Sequence, residues 1–365
     1  MDVVGPLAGL TVIELAGIGP GPFAGMMIAD HGADVIRVDR PGTRHDPTDP
    51  LLRSRRSVVL DLKSQADRER LRALARDADG LIEGYRPGVM ERLGLGPDVL
   101  LADNPRLVFG RVTGWGQEGP LAPAAGHDIN YIALAGTLAA LGRAGEKPTP
   151  AINLVGDFGG GGMLMAFGMV SAMLAVKAGK PGQVVDCAMV DGAALLMSMM
   201  WGFRSAGRWS DERGTNLLDT GAPFYDTYET ADGKHVAIGA IEPQFYAELR
   251  AGLDCSDVSE LDAQMDQAAW PRQKDLMAQM IRQRTQAEWC ERFATRDACF
   301  APVLGFDEAV AHPHNRERGT FLEVGGVVQP APAPRYSATP CATPRAPAEP
   351  GADQALVGDS LASAA

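Results

Sequence analysis

Hydrophobic residues in the first forty positions change their period twice. Leu10 to Leu15 (Leu-Thr-Val-Ile-Glu-Leu) reads as a strand, Pro22 to His31 as a helix, and Ala33 to Val38 as a second strand followed by Asp39. That succession predicts a βαβ unit and hence a parallel sheet. Strand-like runs return at Val58 to Leu62, Gly80 to Glu83 and Arg106 to Val112, with helical periodicity over Asp67 to Arg76 and Met90 to Leu93 between them. A long apolar helix over Gly159 to Ala178, a strand over Gln183 to Cys187 and a Met-rich helix over Val190 to Phe203 continue the alternation. The expected fold is α/β, with a large Rossmann-like, doubly wound parallel sheet over 1–203.

Near Arg204 the pattern changes. Residues 204–224 are polar and Gly-containing and read as a linker. Tyr225 to Glu229 and His235 to Gly239 flank an Asp232-Gly233 turn, which predicts an antiparallel hairpin. Helical stretches follow over Pro243 to Leu253 and Trp270 to Phe293, making a smaller α+β domain over 225–324. Gln329 to Pro350 carries seven prolines and is expected to be an extended connector. It leads to a tail that packs back on the first domain, so that 325–365 completes the large domain.

Composition narrows the function. A chain of 365 residues, 45% hydrophobic and 22% charged, can bury two real cores. Its net charge of -12 argues against nucleic-acid or acidic-membrane partners, which require a basic footprint. Cys187, Cys255, Cys290, Cys299 and Cys341 are scattered, with no CxxC pair. Neither a disulfide framework nor a zinc site is expected, and a cytoplasmic, reducing location fits best. The first residues lack a signal-peptide pattern, and Leu361 to Ala365 is no peroxisomal tripeptide. The longest apolar run, Gly159 to Val176, opens with four glycines and contains Ser171, so a buried helix is expected there and not a membrane span.

Several motifs fail on inspection. Gly17-Ile18-Gly19-Pro20-Gly21-Pro22 before Asp39 approaches a dinucleotide fingerprint, but its third glycine falls one position early and Pro22 occupies the place of the close-packing glycine. There is no GxSxG elbow, Walker loop or HExxH. A local basic excess is more informative: Arg37 to Lys63 holds seven positive residues against four acids. Arginine forks match phosphate oxygens.

Candidate proton-transfer chemistry sits in two Gly-rich corners. His127 follows Gly126 at the start of a predicted helix, where the helix N-terminus favours the neutral ring as a base. Asp157 lies in Gly156-Asp157-Phe158 ahead of Gly159 to Gly162. It can cap the following helix, and free amides there can hold an oxyanion. Glu242, in Gly239-Ala240-Ile241-Glu242-Pro243, reads by itself as a helix-start carboxylate. An imidazole and a carboxylate suit an enzyme that removes a proton from one side of a carbon acid and returns one from the other.

These stretches, together with Glu14-Leu15-Ala16-Gly17, Gly84-Tyr85-Arg86-Pro87-Gly88, Gly114-Trp115-Gly116-Gln117-Glu118-Gly119-Pro120, Gly126-His127-Asp128-Ile129-Asn130-Tyr131 and Gly221-Ala222-Pro223-Phe224-Tyr225, resemble the α-methylacyl-CoA racemases of the family III CoA-transferase superfamily over nearly the whole chain. The resemblance implies that fold, with an interlocked homodimer whose active site lies between one subunit's large domain and the other's small domain. It implies His127 and Asp157 as the two bases and Glu242, from the other subunit, as the partner of the histidine. It further implies Arg40, Arg53, Arg86 and Arg92 at the CoA nucleotide, with Tyr131 and Asn153 near the reacting centre. No separate cofactor is implied, since coenzyme A belongs to the substrate.

The expected reaction is interconversion of (2R)- and (2S)-2-methylacyl-CoA through an enolate. Asp157 would need its pKa raised toward that of an imidazole by apolar surroundings, and the amides near it would bind the enolate oxygen. A CoA transferase of the same fold, with Asp157 as nucleophile, is the alternative; it has no use for a second base at His127. A non-catalytic acyl-CoA-binding module would need the arginines alone.

Overall fold

The computed structural model describes residues 4–358; Met1 to Val3 and the last seven residues of the expected tail lie outside them. The described residues fall into two compact units, residues 4–136, 151–198 and 316–358 in the first and 137–150 and 199–315 in the second. The expected boundaries differ from these at four places. Residues 137–150 and 199–203 group with the second unit, the stretch read as a linker is part of that unit, and 316–324 group with the first.

The first unit is built on strands β1 (Thr11–Leu15), β2 (Asp34–Asp39), β3 (Arg56–Val59), β4 (Gly80–Glu83), β5 (Val108–Thr113) and β6 (Gln183–Ala188). They form one parallel sheet in the order β3-β2-β1-β4-β5-β6. Neighbouring residues of each strand feed opposite faces. Val12, Val35, Ile82 and Val108 join one core with helix α1 (Pro20–Asp30), while Ile13, Ile36, Leu81 and Phe109 join a second core with α2 (Gln65–Arg76). Both faces are covered, which is why the strands read as unbroken apolar runs. Short helices α3 (Val89–Arg92) and α4 (Pro97–Asp103) follow β4, and α5 (Asp128–Leu134) follows β5.

The helix expected from Gly159 begins earlier and differently. Leu154–Met163 is π-helical and runs directly into α6 (Leu164–Lys177). A Cβ on Gly110 would lie 2.6 Å from Met169 Sδ and 2.8 Å from Met165 Sδ, so this helix rests on the bare backbone of the sheet. Beyond β6, α7 (Met189–Leu196) closes the unit's helical layer. The C-terminal part contributes the hairpin β7 (Phe321–Val324) and β8 (Val327–Pro330), then an extended Pro-rich run. Its end covers the exposed side of edge strand β3: Asp353 and Gln354 exchange hydrogen bonds with Ser57 and Val59 at 2.8–3.1 Å. An edge that would otherwise offer unpaired amides is blocked.

In the second unit the hairpin Tyr225–Glu229 and His235–Gly239 turns at Asp232-Gly233 as expected, with Gly233 at φ +73°, and Phe300–Val303 adds a third antiparallel strand. The single helix expected over Trp270 to Phe293 is two, Trp270–Ile281 and Gln286–Phe293. The first ends at Ile281, and Thr285 caps the second through a reciprocal pairing with Glu288. The core holds Phe224, Tyr246, Trp270, Trp289 and Phe293.

Candidate active site

Open parallel sheets bind ligands past the C-terminal ends of their strands, at the point where strand order reverses. Here that point lies between β1 and β4. A cleft of about 760 Å³ opens there, lined by the loops after β1 (Gly17 to Pro22), β2 (Arg40, Thr43), β4 (Gly84 to Pro87) and β5 (Gly114, Trp115), together with Gly126, His127, Tyr131, Asn153 and Asp157. All its lining residues belong to the first unit.

His127 is exposed and is the N-cap of α5; Asn130 Oδ1 accepts from its backbone N–H at 3.1 Å, which fixes the turn from which the imidazole projects. Asp157 is half-buried and projects from the π-helical stretch, where Asn153 Nδ2 donates to its Oδ2 at 3.2 Å. Wide π-turns recur at functional sites because they re-aim side chains that an α-helix would hold in register. The four glycines after Asp157 let this turn approach its neighbours. A Cβ on Gly160 would meet Ala193 N of α7 at 2.7 Å, and one on Gly162 would meet the Phe23 ring at 2.7 Å. Burial pushes the Asp157 carboxyl above the ordinary carboxylate range, and the charge of Asp128 acts the same way, against the Asn153 hydrogen bond and His127. The direction is the one two-base chemistry requires.

Tyr131 packs edge-on against Trp115, ring centroids 4.8 Å apart. Burial, reinforced by Asp157, raises its phenol pKa. Gly114 and Gly126 make room for this ring, since a Cβ on either would overlap it. Arg40 and Arg86 line the cleft, and Arg40 lies over the Tyr85 ring at 5.5 Å.

Two expectations need correction. Arg53 offers no fork to a ligand: it is buried, pairs through Nε and Nη2 with Asp30 at 3.0 and 2.5 Å, and donates through Nη1 to Gln329 and the Pro330 carbonyl. It clamps the C-terminal hairpin to α1. The basic cluster as a whole is largely spent in this way, since Arg37 and Arg55 hold the fully buried Glu14 and Arg56 pairs with Asp34 and Asp353. Arg92 is exposed on α3, outside the residues that line the cleft. Finally, the amides of Gly156 and Asp157 are not open to an oxyanion, because both donate to Asp128 Oδ2, at 2.6 and 2.8 Å. Asp128 had received no role in the sequence; its position directly after His127 at a helix start was the available signal. Glu242 belongs to the second unit, exposed at the N-cap of helix Pro243–Gly252 and making no side-chain capping bond.

Residues 7–354 match CoA-transferase family III, and the chain belongs to that family. It is 48% identical to the alpha-methylacyl-CoA racemase of Mus musculus over 96% of this chain and 91% of that protein. It is also 48% identical to the alpha-methylacyl-CoA racemase of Homo sapiens, over 92% and 87%. Among solved structures, a CAIB/BAIF family protein from Brucella suis superimposes with a TM-score of 0.83 at 22% identity, covering 97% of this chain and 98% of that one, which speaks for the fold.

Proposed function

We propose that this chain is an enzyme that interconverts (2R)- and (2S)-2-methylacyl-CoA thioesters by a 1,1-proton transfer. The observation that carries the reading is the convergence of His127 and Asp157 on one cleft in a chain this similar to racemases. The thioester acidifies its α-hydrogen; one group removes it, the carbon becomes planar as the enolate, and the other group protonates the opposite face. The reaction needs one of the two groups protonated and the other not, and the raised pKa of Asp157 supports that division of labour. CoA enters as part of the substrate, and the chemistry calls for no further cofactor. Arg40 and Arg86, at the cleft wall, are suited to its phosphates.

We assign the partner of His127 to Glu242 of a second copy of the chain. Its exposed carboxylate, with no capping bond, is available for such a contact. A homodimer is supported by apolar side chains left uncovered along α6 and its π-helical start. We place the enzyme in the cytoplasm, where five cysteines without disulfides are at home.

The test is incubation of a single 2-methylacyl-CoA epimer in deuterated water. Deuterium at C2 with loss of configuration is the expected result. Transfer of CoA to an added carboxylic acid without C2 labelling would instead identify a transferase using Asp157 as nucleophile, and would overturn the proposal.

A further inference from the structure

Asp128 is a charged residue with an unusual setting. It is 4% exposed, it pairs with no arginine or lysine among the described residues, and its Oδ1 is buried without a hydrogen-bond partner. A buried, half-satisfied carboxylate is costly, and where a protein keeps one its purpose needs explaining. Its other oxygen is doubly engaged: Oδ2 accepts from Gly156 N at 2.6 Å and from Asp157 N at 2.8 Å. Asp128 is also bonded through the main chain to His127. The space for this contact depends on a glycine, because a Cβ on Gly156 would stand 2.6 Å from the same oxygen.

We propose that Asp128 is a positioning residue for racemisation: its carboxylate ties the peptide carrying Asp157 to the helix start carrying His127, so that the two proton-transfer groups are held as one unit across the cleft. The inference rests on the racemase reading. Misplacing a reacting group by about 1 Å costs roughly 100-fold in rate, and among the described residues no other hydrogen bond joins the α5 start to the backbone at Asp157. The same carboxylate carries an electrostatic consequence. The groups acting on Asp157 are Asn153 from its own turn and Asp128 and His127 from α5, while Tyr131 and Arg86 share its surroundings. Of these, Asp128 is the one whose charge favours the protonated form of Asp157.

The experiment compares C2 deuterium incorporation, as kcat/KM against pH, in the wild type, D128N and D128A. In D128N the amide oxygen can keep both backbone bonds while the charge is gone, so the acid limb set by Asp157 should move to lower pH. Because the equilibrium constant fixes the ratio of forward and reverse kcat/KM, the shift should appear equally from both epimers. In D128A the tether is lost, and kcat should fall about 100-fold with KM little changed. G156A, which crowds the carboxylate without removing it, should reproduce much of the D128A loss. An unshifted acid limb in D128N, or a folded D128A within about threefold of wild-type kcat, would overturn the role of Asp128 alone. Absence of C2 exchange in the wild type would overturn the racemase reading and this inference with it.

Discussion

Asp157 is strained by its duties, and the strain has a sign. Burial raises its pKa, so between the ordinary carboxylate value and the raised one the folded chain binds more protons at this group than the unfolded chain does. Stability contributed by the protonated form is therefore present at acid pH and is lost as pH rises through the raised pKa. In D157N the Asn oxygen can still accept from Asn153, and the buried charge is removed. Its Tm relative to the wild type should rise as pH increases from the carboxylate range to neutrality, while racemisation falls by about 100- to 10,000-fold. Thermal melts at several pH values check the first part and C2 exchange the second; a Tm difference independent of pH would contradict the burial of a titrating carboxylate. His127→Ala should lose activity on the same scale, in both directions, yet retain acyl-CoA affinity measured by equilibrium titration. His127 and Asp157 were legible because each interrupts a Gly-rich apolar stretch. Arg53 was not, since an arginine that forks onto Asp30 and one that forks onto a phosphate look alike until the partner, here 23 residues away, is placed.

The π-helical stretch and α7 meet where neither has a side chain. Gly192 and Gly160 face each other so closely that a Cβ on Gly192 would overlap the Gly160 carbonyl, which is backbone and cannot swing aside. Gly192→Ala should therefore displace the turn that carries Asp157, destabilise the fold by about 1–3 kcal/mol and lower kcat more than it raises KM. Gly202, with open space around it in α8 (Ser198–Ser205), is the control: its alanine variant should leave melting and activity close to wild type or slightly improve stability. Equal effects at the two glycines would show that helix propensity, and not the close approach, sets the cost. Four consecutive glycines announced a tight place but not its form, because i to i+5 hydrogen bonding has no sequence period of its own and is selected by what packs against it. The break in the helix over Trp270 to Phe293, by contrast, was written in Thr285-Gln286-Ala287-Glu288, a capping-box spacing that the apolar periodicity on either side concealed.

A helix apolar on all sides must be covered on all sides. The stretch Leu154–Lys177 is long and apolar enough, by length and composition, to cross a membrane, yet half of it is buried inside the chain. Met165, Met169 and Met173 face the core. Outward, Phe167 is 70% exposed and Leu174 67%, with Leu154 and Met163 also uncovered. Runs of exposed apolar side chains mark interaction surfaces, and a second copy is the occupant proposed for this one, in keeping with the proposed assignment of Glu242. The alternation of strands and helices made the parallel sheet readable, but this outward face could not be told from core in the sequence, since both are equally apolar. The expected outcome is a dimer by sedimentation equilibrium at micromolar concentration. Phe167→Glu, placing a charge on the uncovered face far from the sheet core, should shift the protein toward monomer and reduce C2 exchange in proportion to the monomer fraction, because each cleft then lacks its borrowed carboxylate. Mixing Glu242→Gln chains with His127→Ala chains separates this from simple misfolding. If the site is shared, the mixture regains activity through heterodimers in which one cleft is intact, whereas each variant by itself remains impaired; a wild type that is both monomeric and fully active would end the case for a shared site.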